Sequence, residues 1–227
     1  MDMPVSDAVL PAPAGGHIRH ALLQAERHDW PFRLWLLHDV LPLPLCDAIA
    51  ALPFAPAAIG DTKGKRETHN ASRIFVSAPA RHAFPACAAL GEAFQDEATV
   101  GLLEDLCDTR LSSGFLRIEC CLDSNGFWLE PHTDIGAKLL TMLVYLSDDP
   151  AAEDWGTDIM DPQGKVLCRA PGTFNHGLIF VPGADTWHGF ERRPIRGVRR
   201  SLIVNYVKPE WRSRHELAFP ETPVRAA

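Results

Sequence analysis

The order of apolar and polar positions predicts helices in the first half of the chain. Residues 17–28 carry apolar or small side chains at helical spacing, and residues 44–52 form a second such segment. Residues 85–106, rich in Ala, Leu and Glu, give the strongest helix pattern, which Gly101 can interrupt. Polar residues 61–72, with Gly60 before them and Gly64 among them, predict a loop.

Strand patterns dominate from Gly114 onward. Apolar runs of strand length, rich in β-branched and aromatic residues, predict strands at 118–122, 139–146, 178–181 and 198–207. Two shorter segments, 33–37 and 73–76, predict earlier strands. Helices followed by strands indicate an α+β domain in which the helices pack on one face of a mainly β core.

The length of 227 residues favours one domain, since β-sandwiches of this size are commonly single. We expect that domain to cover residues 17–208. Residues 1–16, rich in Pro and Ala, predict a flexible N-terminal arm, and they lack the basic start of a signal peptide. Residues 209–227 predict an extended tail, with Trp211 and Phe219 as docking points.

Charge, apolar run length and cysteine content argue against several classes of protein. A net charge of −7 argues against a nucleic-acid partner, because proteins that bind nucleic acids usually carry a basic surface. The apolar runs are too short to span a bilayer, so no membrane partner is expected. The six cysteines contain no Cys-x-x-Cys pair, and they are interpreted as free thiols of a cytoplasmic protein.

Candidate chemistry centres on His132 and Asp134. In an extended segment, residues two apart point to the same side, so both side chains can reach one metal ion. His188 follows the strand predicted at 178–181 and supplies a second imidazole. Two His and one carboxylate, with open coordination positions, are the ligands of non-haem Fe(II) oxygenases.

This order of elements resembles the Fe(II)/2-oxoglutarate-dependent dioxygenases, and its layout is most similar to their prolyl-4-hydroxylase-like branch. The resemblance rests on His132 and Asp134, on His188, and on the segment Gly197-Val198-Arg199-Arg200-Ser201-Leu202, and it covers residues 112–208. It implies a double-stranded β-helix, or jelly-roll, core over those residues, supported by the N-terminal helices. It also implies a hydroxylase that uses Fe(II), 2-oxoglutarate and O2, and that releases succinate and CO2.

The resemblance also implies the role of each site residue. His132, Asp134 and His188 would bind the iron, and the family order favours His188 over His176, which precedes its strand. Arg199 would bind the distal carboxylate of 2-oxoglutarate with a bidentate guanidinium, and Ser201 would be a second donor.

Strand alternation places Arg199 on one face with Ser201 and leaves Arg200 on the other.

Three further residues, Tyr145, Arg117 and Asn205, have weaker assignments. Tyr145 can donate its hydroxyl to 2-oxoglutarate or belong to the core, and both interpretations stay open. Arg117 and Asn205 are possible lining residues.

The substrate is expected to be a small or amino-acid-like molecule, because no further recognition domain is visible. The main alternative is a non-catalytic cupin-type metal-binding sensor or structural module, which has no need of Arg199 or Ser201. A zinc hydrolase is a further possibility, although no general base is evident. The oligomeric state is left open.

Overall fold

The computed structural model describes residues 14–56, 63–65 and 73–226. Its helices are α1 (Ala14–Leu23), α2 (Leu43–Ala50), α3 (Ala78–Ala83), α4 (Pro85–Gln95) and α5 (Glu97–Cys107). Its strands are β1 (Glu26–His28), β2 (Leu34–Leu37), β3 (Ile74–Phe75), β4 (Phe115–Asp123), β5 (Leu129–His132), β6 (Lys138–Tyr145), β7 (Asp158–Met160), β8 (Val166–Arg169), β9 (Gly177–Phe180), β10 (His188–Phe190) and β11 (Arg199–Val207). Two 3₁₀ turns lie at Pro150–Trp155 and Arg214–Glu216.

The strands form two antiparallel sheets. The large sheet has the order β1-β2-β9-β6-β11-β4-β3, and the small sheet has the order β5-β10-β7-β8. Strand β11 is an interior strand of the large sheet, paired over its whole length with β4 and from Ser201 to Val207 with β6. The described chain is therefore a mixed α and β structure with antiparallel sheets, as the strand pattern predicts.

Alternation along β11 gives the large sheet two different faces. Leu202, Val204 and Tyr206 pack into the main core against the helices. The Tyr206 hydroxyl donates to the backbone carbonyl of Phe94 in α4 at 2.6 Å, which joins sheet and helix layers. The intervening residues of β11 face the small sheet, where a second core forms around Phe180. The polar face of β11 is thus enclosed between the two sheets.

The helix pattern predicts the regions of α1, α2, α4 and α5, misses α3, and places two boundaries wrongly. The long helix predicted at 85–106 is two helices, which divide at Asp96 and not at Gly101. Asp96 has extended backbone and accepts a hydrogen bond from the Thr99 amide at 3.0 Å, so it caps α5. The helix predicted at 17–28 ends at Leu23, because residues 26–28 pair with β2.

The C-terminal segment packs against the domain. Leu217, Ala218 and Val224 are completely buried, and Leu217 forms a backbone bridge with Arg117 in β4. Phe219 lies beneath the guanidinium of Arg81. The division of the chain into arm, domain and tail stays a prediction, and most of the arm lies outside the described residues.

Two observations bear on the expected partners and cellular setting. All six cysteines lie in the described part of the chain, and each is a free thiol. Among the helices of that part, none has the length and apolar character needed to cross a membrane.

Of the predicted polar loop 61–72, only residues 63–65 are described.

Candidate active site

His132, Asp134 and His188 lie together at the edge of the small sheet. His132 ends β5, His188 begins β10, and the two residues are paired across these strands. Asp134 follows His132 in the connection to β6. One potential ligand atom from each residue lies within 4.8 Å of the other two. The three side chains can therefore meet at a single metal ion.

Backbone carbonyls orient both imidazoles. His132 Nδ1 lies 2.8 Å from the carbonyl oxygen of Glu130, and His188 Nδ1 lies 2.9 Å from that of Thr186. Because a carbonyl only accepts, each Nδ1 donates its hydrogen, and each Nε2 keeps a lone pair. This is the arrangement usual for metal-binding histidines. The free Nε2 lone pairs of the two histidines, and the hydrogen bonds from Nδ1 to backbone carbonyls, thus fit a divalent metal.

The carboxylate of Asp134 is held by two residues of β6. The Lys138 ammonium donates to Oδ1 at 2.5 Å, and the Thr141 hydroxyl donates to Oδ2 at 2.6 Å. Burial alone would raise the pKa of Asp134, but Lys138, His188 and these hydrogen bonds together lower it to about 2. Each carboxylate oxygen has a second lone pair, so a metal can bind beside these donors.

His188 is neutral at neutral pH. Burial lowers its pKa to about 4, and the neighbouring His132 adds to this effect. A metal binds the neutral form of imidazole. The site therefore needs no proton release from His188 before it can bind a metal.

A cavity of about 480 Å³ opens beside the three residues. Its lining includes alternate residues of β11: Arg199, Ser201, Ile203 and Asn205. Arg200 and Leu202 border a different, much smaller pocket. The alternation predicted from sequence therefore agrees with the placement of Arg199, and not Arg200, on the cavity side.

Arg199 and Ser201 present polar groups to one end of this cavity. Arg199 is 4% exposed, and it donates to Asp123 Oδ2 and to the Trp155 carbonyl, both at 2.6 Å. The Ser201 hydroxyl is buried and has no hydrogen-bond partner within the described chain. Buried hydroxyls are nearly always hydrogen-bonded, so Ser201 fits a group supplied by a ligand.

A series of hydrogen bonds leads from Asp134 across the sheet in the other direction. Thr141 donates to Asp134 and accepts from the Asn205 amide at 2.9 Å. The Asn205 carbonyl accepts from Arg117 Nη1 at 3.2 Å. These four residues, called here the Asp134–Arg117 chain, fix the orientation of the Asp134 carboxylate.

At the far end of the Asp134–Arg117 chain, Arg117 belongs to a group of four charged side chains among the described residues. Arg117 Nε donates to Glu216 at 2.5 Å, and Arg117 Nη2 donates to Glu119 at 3.3 Å. Arg73 donates to both oxygens of Glu119, at 2.9 and 2.5 Å. All four residues line the cavity, together with Asn205, Trp211 and Ser213. This group is called the charged end of the cavity.

No family model and no curated protein matches the chain. Solved structures do match. A prolyl-4-hydroxylase from Pseudomonas putida is 16% identical with a TM-score of 0.51, over 89% of this chain and 99% of that one. A Phytophthora capsici prolyl 4-hydroxylase is 11% identical with a TM-score of 0.58, over 91% and 70%.

A third match is a prolyl hydroxylase from Trichoplax adhaerens in complex with a peptide of hypoxia-inducible factor. It is 12% identical with a TM-score of 0.52, over 86% of this chain and 89% of that one. The fold is that of the prolyl-4-hydroxylases. The family resemblance found in the sequence is thereby confirmed at the level of fold.

Within this prolyl-4-hydroxylase fold, His188 and not His176 joins His132 and Asp134. His176 lies elsewhere, with its Nε2 3.0 Å from Nδ1 of His38. The residue order that favours His188 is consistent with this placement. The roles of the three residues as metal ligands stay predictions.

Tyr145 lies behind the cavity wall. Its hydroxyl donates to Thr157 Oγ1 at 2.8 Å and accepts from the Thr157 amide at 3.2 Å. Thr157 lines the cavity. Because the single hydroxyl hydrogen of Tyr145 is already donated to Thr157, this geometry favours a core role for Tyr145. Contact between Tyr145 and 2-oxoglutarate stays a prediction.

The sequence pattern indicates only some of the cavity residues. Arg117 and Asn205 are expected as lining residues, whereas Glu119, Thr141 and Glu216 are not. Strand β4 carries a detectable signal: Leu116 and Ile118 are apolar, whereas Arg117 and Glu119, which alternate with them, are charged and buried. Glu216 carries no such signal, since it comes from an irregular segment.

Proposed function

We propose that the chain is an Fe(II)- and 2-oxoglutarate-dependent oxygenase that hydroxylates a small or amino-acid-like molecule. The observation that carries the proposal is one cavity lined by His132, Asp134 and His188 and also by Arg199 and Ser201. A metal site alone fits many functions. A metal site beside a buried guanidinium and an unpartnered hydroxyl fits a metal-bound dicarboxylate.

The chain's residues have distinct tasks in this proposal. His132, Asp134 and His188 would hold Fe(II) and leave coordination positions open for the cosubstrate and O2. Arg199 and Ser201 bind the distal carboxylate of 2-oxoglutarate and so orient its oxo-acid end toward the metal. When bound, Fe(II), 2-oxoglutarate and O2 supply the oxidation, with release of succinate and CO2.

Cavity size supports a small substrate. A volume of about 480 Å³ lies in the range of small-molecule sites and must also hold the cosubstrate. We further infer that the two facing antiparallel sheets form the double-stranded β-helix core expected from the sequence. The six free thiols support a cytoplasmic location.

The proposal is tested by adding Fe(II) and 2-oxoglutarate without oxygen and recording the visible spectrum. We expect the weak charge-transfer band of the chelate, and succinate release once air is admitted. His132→Ala should lose both, whereas His82→Ala, at an exposed position of α3, should keep both. Protein that holds iron but shows no band with 2-oxoglutarate would exclude the cosubstrate.

One observation favours the non-catalytic alternative. Arg199 already has a carboxylate partner in Asp123, so its charge is compensated without 2-oxoglutarate. A cupin-type sensor or structural module would bind metal with the same three residues and would bind 2-oxoglutarate no better than a simple dicarboxylate. Competition between 2-oxoglutarate and succinate on the metal-loaded protein separates the two functions.

A further inference from the structure

Trp211 brings an unused hydrogen-bond donor to the charged end of the cavity. It lies in the segment after β11, and its indole Nε1 is buried without a hydrogen-bond partner in the described chain. Indole N–H groups usually find an acceptor when they are buried. Trp211 therefore has an unused N–H that an acceptor atom of a ligand could satisfy.

Arg117 adds further donors at the same place. Its guanidinium carbon lies over the face of the Trp211 ring, 5.3 Å from the ring centroid, and Arg117 is 2% exposed. A guanidinium has five N–H groups, and the described contacts of Arg117 use three of them. Arg117 and Trp211 together can bind an anionic oxygen.

Glu216 supplies an acceptor close to these donors. Its Oε2 accepts from Arg117, whereas its Oε1 has no hydrogen bond within the described residues. Among the described side chains of this end, Arg117 is paired with Glu216 and Arg73 with Glu119. A ligand group of one sign would leave an uncompensated buried charge, whereas a ligand with both signs would not.

The charged end lies away from the part of the cavity assigned to 2-oxoglutarate. Asn205, which bonds to Arg117, is six residues along β11 from Arg199, or about 20 Å at strand spacing. The Asp134–Arg117 chain begins at the proposed metal site and ends here. A molecule bound at the charged end is therefore placed on the other side of the metal site from Arg199.

We propose that the charged end recognises the substrate as a free amino acid. Its carboxylate binds Trp211 Nε1 and Arg117, and its ammonium binds Glu216. This inference rests on the proposed function, for which it names the substrate class and the residues that select it. Peptides lack one or both of these charges at an internal residue and are excluded as substrates.

The test is ligand-observed NMR on protein loaded with Zn(II), as a redox-inert metal, and saturated with 2-oxoglutarate. The twenty free L-amino acids serve as probes, and each binder is compared with its carboxamide and its N-acetyl derivative. We expect at least one free amino acid to bind. Each derivative, which lacks one charge, should bind about 10- to 100-fold more weakly.

Trp211→Phe keeps the aromatic ring and removes the N–H. We expect it to weaken binding of the amino acid several-fold and to reduce its preference over the carboxamide, which a merely structural role would not do. The matched control is Trp30→Phe, since Trp30 is 64% exposed and does not line the cavity. The control should bind as the unaltered protein does.

The outcomes that overturn the inference are distinct. If 2-oxoglutarate binds but no amino acid does, the substrate class is wrong and the proposed function stands. If both derivatives bind as well as the free amino acid, recognition of the two charges is wrong. An unchanged preference in Trp211→Phe removes Trp211 from the site. Loss of 2-oxoglutarate binding in unaltered protein overturns the proposed function itself.

Discussion

Replacing Thr141 by Val tests whether the Asp134–Arg117 chain orients a metal ligand. Valine keeps the shape of threonine and removes the hydroxyl that donates to Asp134 at 2.6 Å. Thr141 is 2% exposed, so water cannot readily replace it. The same change removes the acceptor of the Asn205 amide, which keeps only a 3.4 Å contact with the Leu140 carbonyl.

The expected magnitude follows from the charge on the acceptor. A hydrogen bond to a charged group contributes about 1.5–3 kcal/mol, which corresponds to about 10- to 100-fold in affinity if Asp134 binds the metal. Loss of a residue that orients a metal ligand is known to weaken metal binding by a similar factor, about 10–100-fold. We therefore expect Thr141→Val to raise the metal dissociation constant by that factor.

The assay is competition for Mn(II) or Fe(II) against a chelator of known affinity, with unfolding in urea measured in parallel. Thr99→Val is the matched control, because Thr99 is also buried and donates to a carboxylate, that of Asp96, at 3.1 Å in α5. It should lose stability without loss of metal affinity. Metal binding by Thr141→Val within twofold of the unaltered protein would refute the reasoning.

Three further predictions concern the same cavity. Arg199→Lys should weaken 2-oxoglutarate binding about tenfold or more without loss of metal affinity, because an ammonium cannot form the two parallel hydrogen bonds of a guanidinium. The control Arg200→Lys, on the opposite face of β11, should leave 2-oxoglutarate binding unchanged. Metal-free protein should lose about 2 kcal/mol of stability between pH 7 and pH 5. The reason is that burial lowers the pKa of His188 from 6.5 to about 4 in the folded protein. The unfolded chain therefore binds this proton more readily, and the free energy of unfolding falls as the pH falls. A His188→Asn variant with the same pH dependence would contradict this. Arg117→Gln should cost about 3–5 kcal/mol in urea unfolding, because it leaves Glu216 without its partner, and an unchanged midpoint would show that the ion pair does not stabilise the fold.

Strands of the large sheet can be predicted where each has a clear pattern. The segment around β11 alternates apolar residues with Arg199, Ser201 and Asn205, so its two faces can be assigned from the residue order alone. The pattern does not predict strands β5, β7, β8 and β10. Each mixes polar and apolar residues over three or four positions, too few to show a period, whereas the equally short β2 and β9 consist of apolar residues and glycine. These strands of the small sheet form because their neighbours pair with them.

The candidate site divides in the same way. His132 and Asp134 are two residues apart, so local geometry alone brings them together, and His188 follows from the order of elements. Glu216 and Trp211 reach the cavity through an irregular segment whose path depends on packing of residues such as Leu217. No spacing in the sequence encodes that path, so their contribution becomes visible only in the folded chain.

The three proposed ligands do not belong to one layer of the protein. His132 and His188 are in the small sheet, whereas Asp134 is bonded to Lys138 and Thr141 of the large sheet. A bound metal would therefore join the two sheets directly. The rigidity of the small sheet, and not only the chemistry of the cavity, would then depend on whether the metal is present. An apoprotein with intact helices and a loosened small sheet is the natural consequence, and hydrogen exchange would detect it in β5 and β10 first.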